Sequence, residues 1–346
     1  MNLPKYSSSN DDITDPTRKR PGLGRMLAAR ESSVVAVLII LCIALFFSSA
    51  RSSFYSQDNF ENLLLQISLL SIFSIGETLV IISAGIDLSL GSLIAFSGMV
   101  MAMAATRLLP AIAVPGALLI ALLVSTAIGC LHGLLISKLR LPPFVVTLAS
   151  LTILRSQAQL LNGQLPITIS NFPAITFLAN GQMFAGHPWA IPIPAVILLV
   201  IAIIAHLILT QSRLGRYLYS LGGNEQAARL SGVNLLKVQL FAYGASAFLG
   251  GVAGILYAGY GQQGDPLNAQ GYELNAVAAT VIGGANLMGG QGSVVGTVLG
   301  ACLLEVMLSG INLTINNPSL WQGTVVGVVL LMAVLVTAIQ QRKRKV

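Results

Sequence analysis

Apolar blocks of roughly twenty residues alternate with short polar joints along the chain, the spacing expected of helices that cross a hydrocarbon core about 30 Å thick. Ten blocks stand out, at 33–50, 62–83, 89–107, 110–136, 143–161, 190–210, 238–258, 271–287, 293–312 and 321–340. The expected fold is all-α, a polytopic transmembrane bundle of about ten spans within a range of about eight to eleven. Two blocks are weaker. Residues 89–107 follow a polar break and 143–161 contain Arg155, so each is a candidate half-helix or re-entrant element, tolerated where open backbone meets protein or water. A polar, basic tail at 1–32, a transmembrane domain at 33–340 with a loop at 211–237, and a basic tail at 341–346 complete the expected organisation.

Composition agrees with this pattern. Hydrophobic residues make up 55% of the 346 positions and charged residues 9%, against about 25% charged in a soluble domain. Mean hydropathy is +0.80. The net charge of +7 raises the question of nucleic acid, but Lys and Arg sit in joints and tails, where the positive-inside rule accounts for them. No nucleic-acid partner is expected; lipid is. With the N-terminus in the cytoplasm, sixteen of the nineteen basic residues fall inside, and only Arg51, Arg107 and Arg155 fall elsewhere. Both termini are then cytoplasmic, and the long external loop Asn162 to Trp189 carries no Lys, Arg, Asp or Glu. Ser48, Ser49 and Ala50 leave cleavage after the first block open, although a retained first helix fits the long tail better. Cys42, Cys130 and Cys302 lie within apolar blocks and read as packing residues, with no disulfide or metal site implied.

The informative positions are polar and glycine-rich interruptions. Gly85, Asp87, Ser89 and Gly91 separate two apolar blocks, where glycines permit an unwound backbone and Asp87 or Ser89 can cap the following helix. A surface cap and a translocation element are both open readings. Glu77 lies within a span, where a carboxylate is costly and points to gating or function. In the 211–237 loop, Asn224 suits an N-cap, Glu225 the positive end of a helix, Ala227 and Ala228 its body and Gly232 its stop. A structured connection of this length is either a docking element for a cytoplasmic partner or a solvated connector. Further on come Asn275 and the turn Gly289, Gly290 and Gly292, whose composition and expected side of the membrane match the break at Gly85 to Gly91. Gly292, Gly296 and Gly300 recur every four residues and allow close helix packing. Arg155 and Glu305 are expected to form an internal ion pair, His132 and His206 to be interfacial, and Asn312 to close its span.

The sequence holds no GxxxxGK[ST] loop, no HExxH and no GxSxG, so neither a nucleotide site nor hydrolytic chemistry is expected of this chain. A transport subunit is the expectation. An ion-coupled transporter or channel using Glu77, Asp87 and Glu305 is the alternative.

Three ordered motifs carry a resemblance. The run LGRYLYSLGGNEQAARLSGVN at 214–234 resembles the cytoplasmic loop of the ribose permease family, membrane subunits of bacterial ABC importers for simple sugars. GIDLSLG at 85–91 resembles that family's GIDLSVG signature, and 271–300 resembles its glycine-rich stretch; PFVVTL at 143–148 fits as well. The resemblance implies import of a ribose-like sugar across the bacterial inner membrane by a pair of permease chains, identical or related. It further implies a cytoplasmic ATPase that holds the ATP, a periplasmic sugar-binding protein, and no cofactor on this chain. Gly223, Asn224, Glu225, Ala227, Ala228, Arg229 and Gly232 would then belong to a coupling helix seated in the ATPase. Two departures stand out: Asn275 replaces the family's usual Asp, and the N-terminal tail is longer than the family's.

Overall fold

A computed structural model describes the backbone of residues 23–187 and 190–345, and side chains over 31–187 and 190–335. Most of the expected tail at 1–32 lies outside the described residues. Of the described residues, 76% are helical. In order its elements are α1 (Leu23–Phe46), α2 (Arg51–Phe54), α3 (Gln57–Ile82), α4 (Leu90–Arg107), α5 (Ala113–Leu139), α6 (Pro143–Leu160), β1 (Ile167–Thr168), α7 (Pro173–Asn180), β2 (Gln182–Met183), β3 (Ile191–Pro192), α8 (Ile193–Gln211), α9 (Arg213–Gly223), α10 (Glu225–Leu230), α11 (Leu235–Tyr260), β4 (Gln263–Gly264), α12 (Tyr272–Ile282), α13 (Val294–Thr314) and α14 (Pro318–Lys345). Among the described residues, seven helices are long and apolar enough to cross a membrane: α3, α4, α5, α8, α11, α13 and the Pro318–Leu335 part of α14. This is a multi-pass membrane protein.

Local chemistry sets the helix ends. Ser56, Asn234 and Ser293 accept the orphan N–H groups of the first turns of α3, α11 and α13, and Pro143 supplies a first-turn residue that lacks a donor anyway. The centre of the bundle is α11, packed on α3, α4 and α5. Small residues let these helices approach: a Cβ at Gly133 of α5 would stand 2.7 Å from the Gln239 carbonyl, and one at Gly76 of α3 would stand 2.9 Å from the Ser246 Cα. From Ser68 to Ile82, every residue of α3 is buried, and its apolar faces are interrupted only by Ser68, Ser71, Ser74, Glu77 and Thr78.

The block at 271–287 is not one full-length helix. Helix α12 has 11 residues, which at 1.5 Å per residue is only about 16 Å. The segment before it descends alongside α4. At β4, a Cβ on Gly264 would crowd the Gly98 and Met99 backbone, whereas Ala269 and Glu273 meet Gly91 in the first turn of α4. Neither block expected to be a half-helix or re-entrant element is one in backbone: α4 and α6 are regular 18-residue helices, and the open backbone lies at 265–271 instead. The backbone of this descending loop is satisfied by Arg155, whose Nη1 donates to the carbonyls of Asn268 at 2.7 Å and Pro266 at 3.0 Å, with Nη2 at 3.5 Å from that of Ala269. The expected Arg155–Glu305 ion pair is therefore replaced by a guanidinium that serves carbonyls no helix or strand can satisfy.

Polar connections gather in two groups. In one, β1 pairs with β4, β2 pairs with β3, and Glu61 accepts a 2.6 Å hydrogen bond from Gln182. In the other, the ends of α3 and α5, the start of α6, and helices α9 and α10 surround one cleft. Helix α14 includes the basic residues 342–345.

Candidate functional site

The end of α3 is shaped by a left-handed residue. Ala84, at φ +63°, lets its own N–H reach the Ile81 carbonyl and that of Gly85 reach Val80, which closes the helix. The chain then runs unwound to α4 through a wholly buried polar cluster. Both oxygens of Glu77 accept the N–H of Asp87, at 3.2 and 3.3 Å. Oδ1 of Asp87 accepts the backbone N–H of Ser89 at 3.0 Å and its hydroxyl at 2.6 Å, and Oδ2 accepts from Ser246 of α11 at 3.4 Å. Thr147 of α6 donates to the Ile86 carbonyl at 3.0 Å. A Cβ at Gly85 would overlap the Tyr243 hydroxyl, so only glycine fits there. Asp87 and Ser89 are both 0% exposed, so the segment is buried inside the protein and not at its surface.

His132 is part of the same cluster and is not interfacial. It is 1% exposed, its Nε2 lies 2.6 Å from Ser150 Oγ, and its ring stands edge-on to Tyr243. Tyr243 Oη and His132 Nδ1 have no hydrogen-bond partner among the described residues. Sequence reasoning passed over Tyr243 and Ser246 and placed His132 at the interface, since an isolated polar residue in an apolar helix does not reveal which face it occupies.

The second break meets the first directly. Gly289 and Gly290 take left-handed backbone, with φ of +86° and +72°. The Gly290 N–H donates to the Ile82 carbonyl at 2.9 Å, and a Cβ on Gly289 would stand 2.7 Å from that of Ala84. Onto this pair sits the last turn of α9. A Cβ on Gly222 would overlap the Ile82 carbonyl and the Gly290 nitrogen, and Tyr219 donates to the Gly292 carbonyl at 2.8 Å. Gly85, Asp87, Ser89, Gly289, Gly290, Gly292 and the 222–223 corner therefore form one assembly, joined to Glu77. Asn275 makes no described hydrogen bond to it. Gly292, at φ +159°, belongs to this turn. Gly296 and Gly300 alone provide the close contact of α13 on α12, where their Cβ atoms would overlap the Gly283 and Ala279 carbonyls.

Two helices stand in the 211–237 loop where the sequence suggests one. In α9, capped by Ser212 onto Gly215, Leu218 and Leu221 are buried. Helix α10 begins with Asn224 Oδ1 accepting the Ala227 N–H at 2.9 Å and stops before Gly232 at φ +81°. Its anchor is Ala228, 1% exposed, while Glu225, Ala227, Arg229 and Leu230 face outward, Leu230 at 82%. A cleft of about 530 Å³ lies beside it, lined by Ala84, Arg140, Gly222, Asn224, Arg229 and Gln239 among others.

Comparison with known proteins bears on this geometry. Residues 59–334 match the family described as "Branched-chain amino acid transport system / permease component". The ribose import permease of Haemophilus influenzae is 35% identical over 317 residues, 90% of this chain and 94% of that protein. That of Escherichia coli K12 is 36% identical over 310 residues, covering 88% and 92%, and the D-allose transport system permease of the same organism is 30% identical over 299 residues, covering 86% and 88%. No solved structure matches. With its seven membrane-length helices, its glycine breaks and a family match over most of its length, this chain belongs to that family of transport permease components, alongside the ribose import permeases.

Proposed function

We propose that this chain is the membrane-spanning permease subunit of an ATP-binding-cassette importer, carrying a ribose-like monosaccharide across the bacterial inner membrane. The observation that carries the coupling part is the seating of the α9 corner on both glycine breaks, with the exposed face of α10 alongside. A separate ATPase docks on Glu225, Ala227, Arg229 and Leu230, and hydrolyses the ATP that this chain has no loop to hold. A periplasmic sugar-binding protein delivers the solute to the opposite end, and a second permease chain, identical or related, completes the pathway. The cytoplasmic end is the one bearing α9 and α10, in keeping with the positive-inside rule for Lys138, Arg140, Arg213, Arg216, Arg229 and Lys237. The three apolar blocks beyond the seven membrane-length helices correspond to α1, α6 and the half-length α12, which supports about ten passes with both termini inside.

The chemistry is desolvation. A sugar loses several hydrogen bonds to water on entering hydrocarbon, each costing about 2–7 kcal/mol if unreplaced. The permease therefore has to supply a polar route and open it only when ATP is spent. Mechanically, the Glu77–Asp87 contact and the Ile82–Gly290 contact hold the unwound segment in one state, and their rearrangement accompanies opening. Co-purification with the cognate ATPase tests the reading. Wild type retains the ATPase in detergent, whereas Ala227→Glu and Gly232→Pro, each still monodisperse, lose it. Wild-type chain that retains no ATPase, or uptake abolished by a protonophore at constant ATP, moves the ion-coupled alternative to the front.

A further inference from the structure

The junction between α9 and the two breaks is built from backbone. The last carbonyls of a helix lack intrahelical donors, and Ile82, the final residue of α3, finds its donor in the Gly290 N–H 2.9 Å away. Gly222 lies against both partners of that bond at once, so closely that a methyl group in place of its hydrogen would overlap the Ile82 carbonyl and the Gly290 nitrogen. Its neighbour Gly223 is different. A Cβ there meets nothing within 4 Å. On the other flank, Tyr219 donates from the same helix to the Gly292 carbonyl at 2.8 Å. Burial pushes the Tyr219 phenol above its ordinary range, so it stays a protonated donor. Helix α9 thus meets the second turn at two points, a hydrogen bond to the Gly292 carbonyl and close packing on the Gly290 nitrogen, and that turn grips the end of α3.

We propose that Gly222 is a positioning residue for transport: with Ile82, Gly290 and Tyr219 it forms a backbone clasp through which displacement of α10 is passed to both glycine breaks together. This rests on the importer reading. A contact between backbone atoms has no side-chain torsions to absorb motion, so a shift of the α9 corner must move the 289–292 turn or break the Ile82–Gly290 bond. Because Ile82 adjoins Ala84 and the segment leading to Asp87, the movement reaches the buried cluster within a few residues. The exposed face of α10 plays no part in the clasp, so docking and transmission are separable.

The test uses proteoliposomes with the full chain, its ATPase and its sugar-binding protein, and reads ATPase co-purification, hydrolysis with and without ribose-loaded binding protein, and ribose uptake. Gly222→Ala is expected to co-purify with the ATPase and keep its basal hydrolysis. Its uptake and its stimulation by loaded binding protein should fall roughly five- to a hundredfold, the range of ordinary coupling free energies. Ser220→Ala, an exposed change in the same helix, should match wild type in every readout, and Tyr219→Phe should lose part of the stimulation at unchanged assembly. Undiminished stimulation in Gly222→Ala, or equal impairment in Ser220→Ala, overturns the clasp while leaving the importer reading in place. Should Gly222→Ala fail to fold, Tyr219→Phe decides, and wild-type stimulation in that variant overturns the proposal. If the wild-type chain neither retains the ATPase nor takes up ribose on ATP addition, the importer reading has failed, and the clasp as a coupling device fails with it.

Discussion

At Glu77, a carboxylate is spent on a single backbone N–H. That use is economical only because Asp87 lies where neither helix nor water can accept its donor: both residues are 0% exposed, and the segment between α3 and α4 has no regular structure. Replacing Glu77 with Ala leaves the donor buried without a partner, a loss of about 1–3 kcal/mol, whereas Gln keeps an acceptor of the same reach. Thermal unfolding in detergent should therefore rank wild type and Glu77→Gln together, above Glu77→Ala; an Ala variant as stable as wild type would show that the bond holds nothing. The sequence makes Glu77 conspicuous because acidic residues inside apolar blocks are few. It does not disclose that Asp87 is its partner, since that contact depends on how α3 turns back toward α4.

Among elements, the descending loop and half-helix α12 depend on one side chain. Arg155 reaches from α6 to the carbonyls of residues 266, 268 and 269, and charge-assisted bonds of this kind are worth roughly 1.5–3 kcal/mol each where burial is deep. Arg155→Met is expected to loosen 265–271, seen as faster amide exchange confined to that loop and to the first turn of α12, with Arg155→Lys in between. Uniform exchange across the three proteins would count against this role. Hydropathy marks α3, α5, α8, α11 and α13 plainly because each is one continuous apolar run. It overstates α12, where apolar residues 276–282 are followed by glycines that extend the block without extending the helix. It understates α9 as well, because a helix whose buried face is only Leu218 and Leu221 leaves little apolar signal. The ion pair expected for Arg155 fails for a related reason: charge predicts an opposite charge, but carbonyl oxygens satisfy a guanidinium equally well.

For the whole molecule, the grouping of connections makes an orientation that can be checked from either side of the membrane. In a background where Cys42, Cys130 and Cys302 are replaced by Ser or Ala, a cysteine at Ser231 should react with a membrane-impermeant maleimide only in inside-out vesicles, and one at Gly163 only in intact spheroplasts. Labelling of both from one side would contradict the topology. Gly163 is exposed and no atom lies within 4 Å of the Cβ it would acquire, although its φ of +58° is left-handed and strains any side chain there, so a cysteine at exposed Ala185 of the same loop serves as the second reporter of that side. The motifs at 85–91, 214–234 and 271–300 were legible as separate signals; their meeting at one point was not, because only the folded bundle brings residues 82, 222 and 290 within reach of one hydrogen bond.

That meeting point has a consequence for how such a protein can change over generations. A joint of amide groups presents the same chemistry whatever side chains surround it, provided the residues at 222, 289 and 290 stay small. Drift in the solute pathway, or in the outward face of α10, can then alter what is carried or which partner is recognised without redesigning the linkage between them. Such a lineage could diversify in cargo while inheriting its transmission intact.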